Sequence, residues 1–230
     1  MSKLSKLFRW SRKIDIKDGE KVLDTVYLRL VGDNDYQESR DMALKHSKMM
    51  RVALRNKDSA EHKSNFGDID SLTKDEMIMG ITIGELSNYR DEALMNLPEK
   101  DKPELPDNAT LEQQELFDAQ VKKTREDRVQ SIADYIEKKS EERKTELLKI
   151  EDIVQIKSLY VTSVINIRCE EEFTKTFREY QIYKGTFKDE VMTELAFDSF
   201  DEFLNSAPQL KSLLMSAYIN LELTGEDLKN

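Results

Sequence analysis

The sequence predicts a mainly α protein with a small N-terminal β-hairpin, an α+β fold whose C-terminal half is a helical bundle with one long charged helix. Three observations carry this reading. Only seven Gly and four Pro stand in 230 residues, so breakers are scarce and long helices are favoured over a many-turned β fold. Strict alternation of apolar and polar residues occurs near the N-terminus alone, while later apolar residues recur three and four apart. Helix-capping signals also stand directly before several of those periodic stretches.

The first segment, MSKLSKLFRWSRKI, has no acid before Asp15 and carries Lys3, Lys6, Arg9, Arg12 and Lys13. It lacks the apolar core and small-residue cleavage site of a signal peptide. Leu4, Leu7 and Phe8 share one helical face with Trp10 nearby. Such an arm usually docks on its own domain or on a partner; a membrane-surface helix is the alternative. Ile14 and Ile16 then alternate with polar residues, Asp18-Gly19 is a hairpin turn, and Val22, Val26, Leu28 and Leu30 continue with period two. The expectation is a hairpin of about 13–17 with 22–31, with Val26, Leu28 and Leu30 on its buried face. Two strands alone are marginal, so the hairpin must lie on a helix or join the sheet of another chain.

The stretch RLVGDNDYQESR follows, and its acids raise the question of a metal or phosphate. As a calcium loop it lacks the glycine at the sixth position and the Glu at the twelfth. It also lacks the glycines and lysine of a phosphate loop. Asp33, Asn34 and Asp35 suit a helix N-terminus, and Tyr36, Ala43, Leu44, Met50 and Leu54 set a helical period to about Arg55. The turn starts a helix.

Residues 56–66 are polar and read as a loop. Thr73 to Glu76 forms a capping box opening a helix to about Asn96, in which Gly80 and Gly84 sit one turn apart and permit close packing. The segment LPEKDKPELPDNAT, with Pro98, Pro103 and Pro106, reads as a linker over 98–109, dividing an N-terminal hairpin-plus-helices domain (1–97) from a C-terminal helical domain (110–230). Thr110 and Gln113 form a second capping box, opening a thinly apolar helix to about Lys149 that is solvent-exposed or a coiled-coil arm. Ile153, Ile156, Tyr160, Val164 and Ile167 form a dense apolar face, extended by Phe173, Phe177 and Tyr180 to a stop at Lys184-Gly185. Three short helices are expected after it. Phe187, Val191 and Leu195 line the first, Ser199 with Glu202 caps the second, and Pro208 opens the third.

Net charge is −10 with a pI near 5.0, which argues against broad binding to nucleic-acid phosphates. Cys169 is the one cysteine, so no internal disulfide can form. No apolar run approaches the length of a membrane-spanning helix. His46 and His62 stand sixteen residues apart without the closer ligands that zinc requires, and Cys169 has no motif around it. No nucleophile elbow, metalloprotease helix, phosphate loop or dinucleotide fingerprint is present. The expectation is a protein without catalytic residues, cofactor or metal. The nine methionines, among them Met42, Met49 and Met50 on one helix and Met77 and Met79 on another, fit core filling twice as well as an adaptable binding surface.

Two stretches carry a resemblance: IDIKDGEKV with VYLRLVGDNDYQESRDMAL, and FDSFDEFLNSAPQLKSLLMSAYINLEL. In their order, around a charged helical middle, they resemble tail assembly chaperones of tailed bacteriophages, encoded beside the tape-measure protein. The resemblance covers about half of the chain, and the long helix from Leu111 departs from shorter members. It implies a non-enzymatic morphogenesis protein that binds the long tape-measure helix in the cytoplasm of a host bacterium, as a homo-oligomer with a protein partner. A virion structural component of the tail or connector is the second expectation, and a peripheral membrane-surface protein using the basic arm the third. Under this resemblance Phe200, Phe203, Leu210, Leu214 and Tyr218 are the candidate partner contacts; the same residues would equally build the chain's own core.

Overall fold

The structure is a computed structural model that describes residues 11–97 and 110–227. The basic arm up to Trp10, the proline segment 98–109 and the last residues of the tail lie outside the described residues. As expected, the fold is α+β, mainly helical with the sheet near the N-terminus. Strand β1 (Ser11–Asp18) pairs antiparallel with β2 (Lys21–Arg29) around Gly19, whose φ of +60° explains a glycine there. A register shift between Ile16 and Lys17 leaves Leu23 as the extra residue of β2, a bulge. The sheet has a third strand that the sequence reading missed: β3 (Thr186–Phe187) pairs with Tyr27 and Leu28, giving the order β1-β2-β3.

Helix α1 (Asp33–Arg55) begins at the acidic turn, with Tyr36 N–H donating to the Gly32 carbonyl at 2.9 Å. Residues 60–66 form helix α2 (Ala60–Phe66) where a loop was expected. Ser59 Oγ accepts from His62 N–H and Phe66 is buried, so a cap and one apolar anchor suffice. The helix expected over 74–96 is two: α3 (Lys74–Gly84) and α4 (Leu86–Asn96), broken at Glu85. The Thr73–Glu76 capping box is present in full, as is that of Thr110 and Gln113 opening α5 (Leu111–Leu148).

Helix α6 (Ile153–Gly185) follows. The helix expected around Phe187, Val191 and Leu195 does not form. The Asp189 carboxylate accepts from the N–H groups of Thr193 and Glu194, at 3.1 and 2.8 Å, and holds a turn in which Met192 adopts φ +58°. A short carboxylate that satisfies nearby N–H groups competes with the helix ladder. The same donors, Thr193 first, hold the Asp189 carboxyl below the usual range. Helix α7 (Phe200–Leu204), capped by Ser199, and α8 (Pro208–Asp227) complete the chain.

Contacts divide the chain into two compact units. One joins the residues up to Val52 with those from Arg168 on; the other is Ala53–Ile167. This differs from the division expected at 98–109, and the boundaries fall inside α1 and α6. The physical reason is plain in the first unit, where Ile14, Val26 and Leu28 of the hairpin share one core with Ile182, Phe203, Leu214 and Tyr218. The hairpin lies on helices from the far end of the sequence, which supplies the cover it needs. Leu30 is packed against this core, partly buried.

The second unit has its own core of Met77, Ile78, Ile81, Leu147 and Ile156. Gly80 and Gly84 do permit close helix packing there. A Cβ on Gly80 would lie 2.6 Å from the Tyr160 ring, and one on Gly84 would collide with Ser163 and Ile167. At the break between α3 and α4, Arg143 of α5 donates to both Glu85 oxygens, and the Tyr89 hydroxyl donates to the same carboxylate. Burial first, then Glu85, pushes the Tyr89 hydroxyl far above its ordinary range. Arg143→Ala is expected to cost about 1–2 kcal/mol, between an exposed and a buried ion pair. Chemical denaturation would read this as a lower midpoint at unchanged slope.

Candidate binding surfaces

The five residues singled out from the sequence sit together, but inside. Phe203, Leu214 and Tyr218 are at most 1% exposed, Phe200 is buried, and Leu210 is partly buried against the same cluster. The α7 aromatics interlock with α6. The Phe200 ring lies 5.0 Å from that of Tyr180 and 5.8 Å from that of Tyr183, and Phe203 meets Phe197 edge-on at 5.2 Å. Phe200, Phe203, Leu214 and Tyr218 belong to the chain's own core, with Leu210 packed against it and partly exposed. The periodicity marked an apolar face correctly; its cover is the hairpin and α6.

Tyr218 also has a polar task. Its hydroxyl accepts from Val31 N–H at 3.4 Å, and burial pushes its pKa up to about 12. A raised acid pKa means that the folded state holds the proton more tightly. The corresponding stability is complete below pH 10 and lost as pH rises towards 12, on the order of 2–3 kcal/mol. Tyr218→Phe is expected to cost under about 1 kcal/mol at pH 7, since the bond is long, and to flatten the stability curve between pH 10 and 12. Urea melts of both proteins across that window would show the difference; parallel curves would contradict it.

The acidic turn is occupied by lysine. Lys184 Nζ lies 2.8 Å from a Glu38 oxygen and 3.6 Å from Asp35, and Arg29 reaches Asp35 at 3.9 Å. Glu38 first, then the nearby Tyr180 and Asp35, holds the Lys184 ammonium above its usual pKa. The turn ties the end of α6 to the start of α1. His46 faces Glu172 at 3.6 Å and the Phe200 ring, and His62 Nδ1 lies 2.7 Å from the Leu54 carbonyl oxygen. Cys169 is buried. No group of three or more metal-ligating side chains occurs among the described residues.

Two surfaces among the described residues combine exposure with features a partner reads. The first is the outer side of α3 and the start of α4. Met77, Ile78 and Ile81 face inwards, while Met79 and Ile83 are 63% and 54% exposed and Leu86 is 37% exposed. Met79 and Ile83, one turn apart, lie on the side of α3 opposite its core face, and Leu86 follows at the start of α4, beyond the break at Glu85. An amphipathic helix needs one apolar stripe; this one has two. The sequence reading noted Met79 among the methionines but missed the stripe. The signal was the near-continuous apolar run MIMGITIG, which exceeds what one buried face requires.

The second surface is the free edge of β1. The sheet order leaves β1 with a neighbour on one side only among the described residues. A cleft opens along it, lined on the strand by Arg12, Lys13 and Lys17 and on α8 by Leu213, Ser216 and Asn220. No described helix is long and apolar enough to cross a membrane. No protein-family model, curated protein or solved structure matches the chain.

Proposed function

We propose that this chain is a non-enzymatic assembly factor that covers a long helical client, acting as a tail assembly chaperone for a tape-measure protein. The observation that supports the reading best is the second apolar stripe of α3 and α4. Met79 and Ile83 stand one turn apart on α3, with exposed Leu86 just beyond its end. An i, i+4 apolar pair is part of the pattern by which one amphipathic helix docks on another. Burying what is still exposed of the three is worth on the order of 3 kcal/mol. The flexible thioether of Met79 at one end of the stripe suits a client whose sequence varies along its length. The net charge of −10 keeps such a complex soluble and favours basic stretches of the client. The contact is assigned to these residues rather than to the buried C-terminal cluster.

Co-expression with a tape-measure protein and affinity capture tests the reading. The chain is expected to retain that client, and Met79→Asp with Ile83→Asp to release it while the circular dichroism melt is unchanged. Retention of the client by the double variant would remove the stripe from the interface. Recovery of the chain alone as a stable multimer, and its presence in purified particles, would make it a structural component instead.

A further inference from the structure

We propose that the free edge of β1 is a second binding site, separate from the α3 stripe, which takes an acidic extended segment of a protein partner as an added strand. An edge strand offers a row of unpaired backbone N–H and C=O groups, a template that another extended chain can complete. Natural edges are usually blunted by a covering element, a proline, very short length, a bulge or charged side chains, lysine above all. The basic side chains of β1 guard it against a basic strand but not against an acidic one. β1 runs for eight residues, Ser11–Asp18, and contains no proline. The cleft beside it leaves room, with Leu213, Ser216 and Asn220 of α8 forming its far wall.

The charge of the cleft selects the occupant. Its strand side carries Arg12, Lys13 and Lys17 against the single acid Asp15, and the α8 wall adds no charge, in a chain whose net charge is −10. Asp15 is already engaged, accepting from Thr25 Oγ1 at 2.9 Å and facing Lys13 at 3.5 Å. Arg12 and Lys17 make no ion pair among the described residues. Like charges opposed across a sheet destabilise it. A lysine-rich segment is therefore disfavoured.

The pleat defines the pattern further. Ile14 is buried towards the core, so residues 13, 15 and 17 point to the opposite face. A strand laid along β1 presents alternate side chains to each face. Acids four residues apart meet Lys13 and Lys17, with a neutral residue opposite Asp15. The intervening positions turn to the other face, which carries Arg12 at one end and Leu213 and Ala217 of α8, and these last two favour aliphatic side chains. An alternating acid–aliphatic segment fits both sides at once.

Fluorescence anisotropy on the full chain tests this with a labelled peptide, Glu-Val-Thr-Val-Glu-Val, and two controls. One control replaces Glu by Lys; the other is N-methylated at alternate amides, which removes the donors a strand needs. The acidic peptide is expected to bind saturably, and each control to bind at least about tenfold more weakly, a difference of roughly 1.4 kcal/mol. Lys13→Glu with Lys17→Glu, both exposed positions, is expected to invert the preference between the Glu and Lys peptides, with the melting temperature lowered by no more than the loss of the exposed Lys13–Asp15 pair entails. Absence of saturable binding, indifference to N-methylation, or the same preference in the double variant would each overturn the proposal.

Discussion

Phe203→Ala is expected to lower the unfolding free energy by about 3–5 kcal/mol, the usual cost of removing a buried aromatic ring. Phe203 is 1% exposed and packs between Phe197 and Phe200, so the void has no solvent side into which neighbours can relax. A domain of this size is stable by only about 5–15 kcal/mol, so the variant is expected to be partly unfolded at 37 °C. Leu213→Ala, at an exposed position of the same C-terminal region, is expected to cost under about 1 kcal/mol. Thermal melts of the two variants separate a core role from a partner role. Loss of a partner with no loss of stability in Phe203→Ala would reverse the assignment of this cluster to the core. Leu214→Asp belongs to the same class, because Leu214 is wholly buried and a carboxylate there cannot be solvated.

Gly185→Ala is the second large effect. Alanine raises helix propensity by about 1 kcal/mol over glycine, and a survey of the helix alone would rank the change as stabilising. The packing says otherwise. A Cβ at 185 would lie 2.5 Å from the Arg29 carbonyl oxygen and 3.3 Å from the Tyr218 ring. The first neighbour is backbone held in the sheet, so it cannot step aside as a flexible side chain would. Overpacking of this kind costs about 1–3 kcal/mol or more, and the net sign is destabilising. The damage falls where α6 hands the chain to β3, so the Tyr27–Phe187 pairing is expected to loosen first. Gly80→Ala meets a side chain instead, the Tyr160 ring, and is expected to be milder. A Gly185→Ala protein as stable as the parent would mean that β2 and α6 are not so closely apposed.

Local chemistry was legible in the sequence wherever neighbours in the chain make it. The capping boxes at Thr73 and Thr110 and the Ser199 cap fell on the observed helix starts, because their partners lie three residues away. The Asp-Gly turn and the start of α1 were equally local. What escaped depends on distant partners. β3 is two residues long and exists because Leu28 and Tyr27 receive it. The turn at 188–195 forms because one carboxylate, Asp189, outcompetes a weak helical period.

The same limit governed the candidate sites. Periodicity identifies an apolar face but not its cover. Phe200, Phe203, Leu214 and Tyr218 are covered by the hairpin and α6, whereas Met79 and Ile83, no more apolar, are left outside. Nor does the sequence show that a hairpin at one end and aromatics at the other belong to a single core. Only the three-dimensional contacts join Ile14, Val26 and Leu28 to residues almost two hundred positions away.

Amide hydrogen exchange tests that shared core most directly, comparing Val26 and Leu28 in β2 with Leu214 and Tyr218 in α8, in the parent and in Phe203→Ala. One cooperative core predicts that all four amides exchange through the same global opening and lose protection by the same free energy in the variant. Loosening of α8 with the hairpin amides unchanged would show two independent folding units and contradict it.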